Sequence, residues 1–153
     1  KSFIRVESDE VTYPLHIILR FNLEQKIFNN EIKISDIPEL WNYEYKKLFN
    51  KEVDMDSNGC LQDVHWYAGL FGYFPTYSLG ALTAAQLASQ LRQDVLNLDD
   101  QVEKGDFKEL LQWLKSNVHS KASLYSSNEI LQQVTNSNLN AKYFEDYIKN
   151  RYL

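Results

Sequence analysis

One short stretch of the chain concentrates side chains that can take part in chemistry. Behind Gly59 it carries the amide of Gln62, the carboxylate of Asp63, the imidazole of His65 and the indole of Trp66. A core segment rarely holds so many hydrogen-bonding groups together, because each buried group needs a partner. The stretch is therefore interpreted as part of a functional site, in which His65 donates a hydrogen bond to a substrate oxygen. The residues leave an alternative equally open, a buried polar network that only holds this segment in place.

An arginine near the start of the chain is the second candidate for chemistry. Arg5 stands between the apolar residues Ile4 and Val6, just before a predicted helix. A guanidinium held there can bind a carboxylate through two parallel hydrogen bonds. The alternative is an ordinary ion pair of Arg5 with one of its sequence neighbours, Glu7 or Asp9.

The histidines and the cysteine give little support for metal or nucleophile chemistry. His16, His65 and His119 are far apart in the sequence, and no H-E-x-x-H segment places two imidazoles on one helix face. An assembled metal site within this chain is therefore not expected. His16 and His119 are interpreted as structural, the first partly buried on a helix and the second near a helix C-terminus. The single cysteine, Cys60, has no cationic neighbour in sequence that would activate it.

The composition is that of an ordinary globular protein. The chain has 153 residues, of which 44% are apolar and 24% charged, which is enough for one domain or a large piece of one. A net charge of −5 without a basic block argues against binding to nucleic acid, and no apolar run is long enough for a membrane span. A single cysteine suits a reducing cytoplasm. The chain begins at Lys1, as cleavage of a longer protein would leave it.

The elements that must position these residues are predicted to be helices, because apolar residues recur at helical spacing through most of the sequence. The first periodic stretch predicts a helix over about residues 10–28, with Pro14 in its first turn. Asp36 predicts the cap of a second helix, with Pro38 just inside it. A third, short helix over about residues 61–72 is predicted to carry the polar stretch.

Helix signals continue to the end of the chain. The longest periodic stretch predicts a helix over about residues 78–102. Three further start signals follow it: Asp106 with Glu109, Ser126 with Glu129, and Asn140. The sequence shows no alternating strand pattern, internal repeat or low-complexity linker. It therefore predicts an all-α array of about seven helices.

Two motifs give the sequence a resemblance to a known family. The pattern G-x-x-Q-D-x-H-W is filled by Gly59, Gln62, Asp63, His65 and Trp66. The pattern I-R-x-x-A-D is filled by Ile4, Arg5 and Asp9, with Ser8 where alanine is usual. In this order the motifs resemble those of the carboxypeptidase Taq family, the thermostable-type zinc metallocarboxypeptidases. The likeness continues through residues 74–80 and 139–144, although Pro14 is an unusual substitution.

The resemblance implies an all-α, zincin-related fold with a deep groove, usually a homodimer, that releases C-terminal amino acids from peptides. It also implies a zinc bound by the two histidines of an H-E-x-x-H helix and by a later glutamate, all upstream of the arginine motif. This sequence has no such residues upstream of that motif. We therefore expect residues 1–153 to be the C-terminal segment of a longer cytoplasmic enzyme, and to be inactive and free of zinc when isolated. The alternatives are a non-enzymatic helical interaction domain and an inactive paralogue fragment.

The resemblance also assigns roles to the candidate residues, with a peptide bearing a free C-terminus as the partner. The implied substrate-binding residues are Arg5, Gln62, Asp63 and Tyr73, and the implied catalytic residues are His65 and Tyr77. Arg5 would bind the terminal carboxylate. His65 and Tyr77 would donate hydrogen bonds to the tetrahedral oxygen as negative charge develops on it, with Tyr73 as a substitute donor. Gln62 and Asp63 would orient His65 or line the groove.

Overall fold

The computed structural model describes residues 2–153, and Lys1 lies outside the described part. These residues form seven α-helices and four short 3₁₀ turns, with no β-strand among them. The α-helices are α1 (Tyr13–Phe28), α2 (Ile37–Phe49), α3 (Pro75–Asp94), α4 (Leu98–Glu103), α5 (Lys108–Asn117), α6 (Ser127–Thr135) and α7 (Lys142–Tyr152). The 3₁₀ turns are Arg5–Glu7, Ile34–Asp36, Asp56–Asn58 and His119–Lys121. The predicted all-α class is confirmed, and the total of seven agrees with the prediction, although two of the predicted helices differ from the observed ones.

The described residues form two compact units, the first ending at Ser78 and the second running from Leu79 to Leu153. The buried core of the first unit consists of Leu19, Leu23, Ile37, Trp41, Tyr45, Phe49 and Cys60. The buried core of the second unit consists of Leu91, Val95, Leu98 and Trp113. Each large apolar side chain buried in this way contributes about 1.5–3 kcal/mol. No helix among residues 2–153 has the length and apolar character that crossing a bilayer requires.

The two proline-marked helix starts lie close to where the sequence predicts them. Pro14 is in the first turn of α1 and Pro38 in the first turn of α2, where a missing N–H breaks no helical hydrogen bond. α1 nevertheless begins later than predicted. The Asp9 carboxylate accepts hydrogen bonds from the backbone amides of Val11 (3.1 Å) and Thr12 (2.8 Å), which holds these residues in a turn.

The short helix predicted over residues 61–72 is wrong, because this segment is a series of turns. Gly69 and Gly72 have φ values of 72° and 76°, in the left-handed region that interrupts a helix. The non-helical path also lets neighbouring side chains reach partners in different directions. We refer to residues 59–74 as the polar loop, since it carries the predicted site residues between α2 and α3.

The long helix predicted over residues 78–102 is in fact two helices, α3 and α4. Asn97 between them has a φ of 57°, a left-handed conformation that asparagine adopts more readily than most residues. Val95 and Leu98, on either side of the break, both pack into the second core with Trp113. Tertiary packing therefore overrides the helical periodicity of this stretch.

Two of the three later start signals form the predicted contacts. In the capping box of α6, Ser126 N donates to Glu129 Oε2 (2.7 Å) and Glu129 N donates to Ser126 Oγ (3.3 Å). At the start of α7, Asn140 Oδ1 accepts a hydrogen bond from Lys142 N (2.9 Å). Side chains therefore satisfy backbone amides that have no partner within these helices.

The capping box predicted for Asp106 with Glu109 is wrong. Asp106 Oδ1 accepts from Lys108 N (3.2 Å), but the Glu109 carboxylate does not close the box. It accepts a hydrogen bond from Gln101 Nε2 (2.9 Å) instead. A longer-range amide thus competes successfully with the local capping contact.

Candidate functional site

The first unit brings the six predicted site residues into one cluster. The N-terminal 3₁₀ turn supplies Arg5, the polar loop supplies Gln62, Asp63, His65 and Tyr73, and the first turns of α3 supply Tyr77. The centre of the Arg5 guanidinium lies 4.8 Å from the centre of the Tyr77 ring. The Tyr73 and Tyr77 rings are 5.5 Å apart, edge to face. Residues far apart in the sequence therefore lie together in one cluster of the unit.

Arg5 is held from several directions and is only 5% exposed. Its Nε and Nη2 both donate to Asp63 Oδ1, at 3.0 and 2.8 Å. Its Nη1 donates to the Tyr13 hydroxyl, and its backbone N donates to Gln62 Oε1 at 2.8 Å. The carboxylate partner of Arg5 is therefore Asp63, across the unit, and not the sequence neighbours Glu7 or Asp9.

Asp63 is shared between two arginines. Its Oδ1 accepts from Arg5, while its Oδ2 accepts from Arg20 Nε at 2.6 Å. Burial alone would raise the pKa of Asp63, but the hydrogen bond from Arg5 and the charge and hydrogen bond of Arg20 hold that pKa below its usual range. Asp63 is therefore ionised at neutral pH and orders the guanidinium groups around it.

Arg20 is a member of the cluster that sequence reasoning missed. It lies on α1, is 0% exposed, and stacks on Trp41 with its guanidinium 4.6 Å from the ring centre. Its Nη1 donates to the carbonyl oxygen of His16 (2.8 Å). Burial, partly offset by Asp63, lowers the pKa of Arg20 to about 10, so the side chain remains charged at neutral pH.

His65 and Tyr77 are in direct contact. His65 Nε2 lies 3.0 Å from the Tyr77 hydroxyl, and the direction of this hydrogen bond depends on the imidazole tautomer. The ring is 8% exposed and packs against Phe74. Its Nδ1 lies 3.8 Å from Asp63 Oδ1 and has no hydrogen-bond partner within residues 2–153. When Nε2 carries the proton and donates it to Tyr77, the Tyr77 O–H is free to donate to an oxygen placed beside it.

Tyr73 and Gln62 differ in how free they are to meet a ligand. Tyr73 is 44% exposed and its ring lies against His65. Gln62 uses both ends of its amide within the protein. Its Nε2 donates to the carbonyl oxygens of Phe3 (3.0 Å) and Asn58 (2.9 Å), and its Oε1 accepts from Arg5 N (2.8 Å). Gln62 therefore positions the Arg5 backbone, and its contact with substrate stays a prediction.

Tyr13, on α1, is a second missed member of the cluster. Its hydroxyl accepts a hydrogen bond from Arg5 Nη1, and its ring lies edge-to-face with Tyr77 at 6.3 Å. The guanidinium centre of Arg5 is within 5.6 Å of the Tyr13 ring centre. Two phenols therefore flank the arginine that is predicted to bind the terminal carboxylate of the peptide.

Glu24 fastens the polar loop to α1. One carboxylate oxygen accepts from Trp66 Nε1 (2.8 Å) and the other from the backbone N of Gly72 (3.1 Å). His16, Arg20 and Glu24 follow one another at four-residue spacing, so they lie on one face of the helix, and all three are buried. This buried polar stripe is the sequence signal that would have revealed Arg20 and Glu24.

The histidines and the cysteine do not fit a metal site. Within residues 2–153 no group of three His, Cys, Asp or Glu side chains is placed to hold a metal ion. Burial and the nearby charge of Arg20 lower the pKa of His16 to about 4, while His119 is exposed in the second unit. Cys60 is buried, and burial raises the pKa of its thiol, which disfavours the thiolate. The described residues therefore cannot supply the zinc ligands that the resemblance implies.

The chain is similar to known proteins over almost its whole length. A family model described as carboxypeptidase Taq (M32) metallopeptidase matches residues 1–152. The chain is 44% identical over 151 residues to carboxypeptidase 1 of Bacillus subtilis, covering 99% of this chain and 30% of that protein. It is 40% identical over 151 residues to thermostable carboxypeptidase 1 of Pyrococcus furiosus, again covering 30% of that protein. In the solved structure of Trypanosoma cruzi metallocarboxypeptidase 1, 38% identical, the matching part superposes with a TM-score of 0.94 and is 32% of that chain. The chain thus spans about 30% of the length of the curated relatives it matches.

Proposed function

Since the chain belongs to the carboxypeptidase Taq (M32) metallopeptidase family, we propose that it is the C-terminal, substrate-binding part of a metallocarboxypeptidase. Its substrate would be a peptide with a free C-terminus, from which the complete enzyme releases the last amino acid. The observation that carries this proposal is the cluster in which Arg5 and His65 both contact Tyr77. A cation for the terminal carboxylate and donors for a developing oxyanion then lie side by side.

The hydrogen bonds of Arg5 leave it able to bind an anion. A guanidinium has five N–H donors, of which two are taken by Asp63 and one by the hydroxyl of Tyr13. The two remaining donors are both on the terminal nitrogens. They suit the paired oxygens of a carboxylate. The contacts with Asp63 and Gln62 fix the group in place before the peptide arrives, which reduces the entropy cost of binding.

We assign the oxyanion contact to His65 and Tyr77. When His65 Nε2 carries the ring proton and donates it to the Tyr77 oxygen, the Tyr77 O–H is free to donate outward; when Nε2 accepts from Tyr77 instead, the ring proton lies on the buried Nδ1 beside Asp63. The first arrangement leaves the Tyr77 hydroxyl as the donor to the oxyanion, and the surrounding aromatic rings limit the access of water, so that this hydrogen bond is stronger than in bulk solvent. Tyr73, the most exposed of these side chains, is assigned to the wall that the peptide side chain contacts.

The metal belongs, in this proposal, to residues outside the chain. Bound zinc, or another divalent ion, supplies Lewis-acid polarisation of the scissile carbonyl. The general base is likewise assigned to the remainder of the enzyme. We further propose that the enzyme is a homodimer and that it lies in the cytoplasm. The single, unpaired cysteine supports the cytoplasmic location.

A second candidate function, a non-enzymatic helical interaction domain, has one observation in its favour. Glu24, Gln62 and Asp63 each find their hydrogen-bond partners within the chain. Such satisfaction is what a purely structural network requires. The two functions differ in whether Arg5 distinguishes a carboxylate from a neutral group.

The test compares two peptides that differ only at their C-terminus. The full product of the gene is assayed with a free peptide and with the same peptide amidated, before and after Arg5→Lys. Lysine keeps the charge but loses the paired geometry. We expect kcat/KM for the free peptide to fall by about tenfold or more, corresponding to one lost charge-assisted hydrogen bond. Turnover of the amidated peptide should change much less.

The control for this test is Arg92→Lys. Arg92 is an exposed arginine in the second unit, paired with Asp99 at 3.2 Å. Its replacement should leave both peptides unaffected. Equal losses for the free and the amidated peptide in Arg5→Lys would contradict the assignment, and a complete gene product without peptidase activity would favour the interaction domain.

A further inference from the structure

The cluster contains an arginine, Arg20, that has no assigned contact with the peptide in the proposed function. Arg20 is fully buried, and a buried cation is costly unless a carboxylate balances it. The carboxylate in contact with it is Asp63, through Oδ2. Asp63 is also the partner of Arg5, through Oδ1. One negative charge therefore serves two guanidinium groups.

A second buried acid, on α1, does not balance this charge by contact. Glu24 lies one turn beyond Arg20, but its two oxygens accept from Trp66 Nε1 and Gly72 N. The two arginines are joined through Asp63 and through the Phe74 ring, which lies 5.7 Å from the Arg5 guanidinium centre and 5.3 Å from that of Arg20. Together with Asp63 they form a group with an excess of one positive charge.

We propose that Arg20 is a positioning residue that keeps Arg5 attractive to a carboxylate, because Arg20 shares the Asp63 charge that would otherwise neutralise Arg5. The proposal rests on the function assigned to Arg5 above. Arg20 acts through Asp63 and does not itself need to touch the peptide. Its aromatic enclosure by Trp41 and Phe74 keeps water away, so its charge is poorly screened.

Arg20 also fixes the geometry of the carboxylate. Because Oδ2 of Asp63 is taken by Arg20, only Oδ1 is presented to Arg5, where it occupies Nε and Nη2. Without Arg20 the Asp63 carboxylate could rotate, bind the end of the Arg5 guanidinium, and direct a free oxygen toward an incoming anion. A carboxylate ligand would then meet a neutral pair with a repulsive oxygen.

The experiment measures binding of a carboxylate probe and its neutral analogue to the full gene product. N-acetyl-phenylalanine and its amide are titrated by NMR against the wild type, Arg20→Met, Arg20→Lys and the double variant Arg20→Met with Asp63→Asn. Arg20→Met should weaken binding of the carboxylate probe by about tenfold. This is the effect of one charge at short range in a protein of intermediate effective dielectric constant. The affinity for the amide probe should change by less than about twofold, because this probe carries no charge for Arg20 to attract.

The double variant separates an electrostatic role from a structural one. Removing the charge of Asp63 together with that of Arg20 leaves Arg5 unbalanced again, and the asparagine oxygen can still accept from Arg5 and hold it in place, so binding of the carboxylate probe should return to within about threefold of the wild type. Arg20→Lys keeps the cation and should also bind near the wild-type strength. A purely structural role for Arg20 would instead make the double variant at least as weak as Arg20→Met.

Two parallel variants make every outcome informative. Arg92→Met removes an exposed arginine paired with Asp99 and should change neither probe. If Arg5→Lys weakens binding of the carboxylate probe but a folded Arg20→Met variant binds it as the wild type does, the role of Arg20 is refuted while the proposed function stands. If Arg5→Lys also has no effect, the proposed function itself fails. Should Arg20→Met not fold, the double variant decides: wild-type binding of the carboxylate probe supports the proposal, and weakened binding overturns it.

Discussion

The sharpest structural test of the cluster is the replacement of Asp63 by asparagine. Asparagine has almost the same shape and keeps one oxygen acceptor, so the change removes mainly the negative charge. The fully buried Arg20 then has no carboxylate in contact with it. Breaking a buried ion pair by removing one partner typically costs about 3–5 kcal/mol. The Asp63 side chain is 12% exposed, which places the expected loss near the lower end, about 3 kcal/mol.

A matched control distinguishes this cost from that of an ordinary surface pair. Asp99→Asn removes the partner of Arg92, whose Nε lies 3.2 Å from a carboxylate that is 76% exposed. Surface pairs of this kind are worth about 0–1 kcal/mol. Urea unfolding at pH 7, followed by tryptophan fluorescence, measures both variants. Trp41, which stacks on Arg20, reports on the first unit, and Trp113, in the second core, reports on the unit that contains Asp99.

The pH dependence of the difference follows from the pKa of Asp63. Arg5 and Arg20 hold that pKa below its usual range in the folded protein, and an unfolded aspartate titrates at about 3.9. A depressed pKa stabilises the folded state fully above the unfolded value, and this stabilisation is lost as the pH falls through the folded pKa. The difference in the free energy of unfolding between the wild type and Asp63→Asn should therefore be constant near neutral pH and should disappear in acid. A difference in unfolding free energy under about 1 kcal/mol, or one that increases below pH 4, would refute the conclusion that Asp63 pairs with both Arg5 and Arg20.

Three further predictions address the chemistry and the assembly. In the complete enzyme, His65→Ala or Tyr77→Phe should lower kcat by about 10²–10³ with little change in metal content, because neither residue is a proposed ligand; intact turnover would remove both from the oxyanion site. The isolated chain should retain no stoichiometric metal after dialysis and should not trim a test peptide, which elemental analysis and mass spectrometry can check; metal near one ion per chain would overturn the assignment of the ligands to other residues. Sedimentation of the full gene product should show a homodimer, and a strict monomer at high concentration would contradict that part of the proposal.

Local signals predict the structure well where a helix is governed by its own residues. Pro14 and Pro38 mark the starts of α1 and α2, and the contacts of Ser126 with Glu129 cap α6 as expected. The same signals fail where distant side chains decide the outcome. The break at Asn97 follows from packing of the second core, which periodicity within one segment does not reveal.

The helix predicted for the polar loop is wrong for a related reason. Its apolar and aromatic residues fit a short helix, but Asp63, His65 and Trp66 bond to Arg20, Tyr77 and Glu24 respectively. These three long-range partners fix the path of the segment, and the left-handed glycines allow the chain to turn there. The motif letters identify the residues of the site, but only the fold identifies their partners.

The buried stripe on α1 explains why the sequence pattern does not single out Arg20 and Glu24, and it suggests a final test. Polar residues on an amphipathic helix are normally assigned to the solvent side, so the pattern does not predict that Arg20 and Glu24 are buried beside His16, which alone is predicted to be partly buried. Glu24→Gln tests whether this stripe shapes the site. A glutamine presents one NH₂ group where two N–H donors, from Trp66 and Gly72, now meet a carboxylate.

We expect Glu24→Gln to destabilise the first unit by about 2 kcal/mol, the value of a hydrogen bond to a charged group. The loss should be local, so the amide of Gly72 should exchange with solvent much faster than in the wild type, as hydrogen exchange measured by NMR can show. Glu52→Gln is the matched control, since Glu52 is exposed in the same unit and paired with Lys46. Loosening of the loop should also weaken substrate binding, because Tyr73 follows Gly72 directly and lines the proposed groove. If Gly72 stays as protected in Glu24→Gln as in the control, the stripe does not hold the loop, and α1 contributes to the site only through Tyr13 and Arg20.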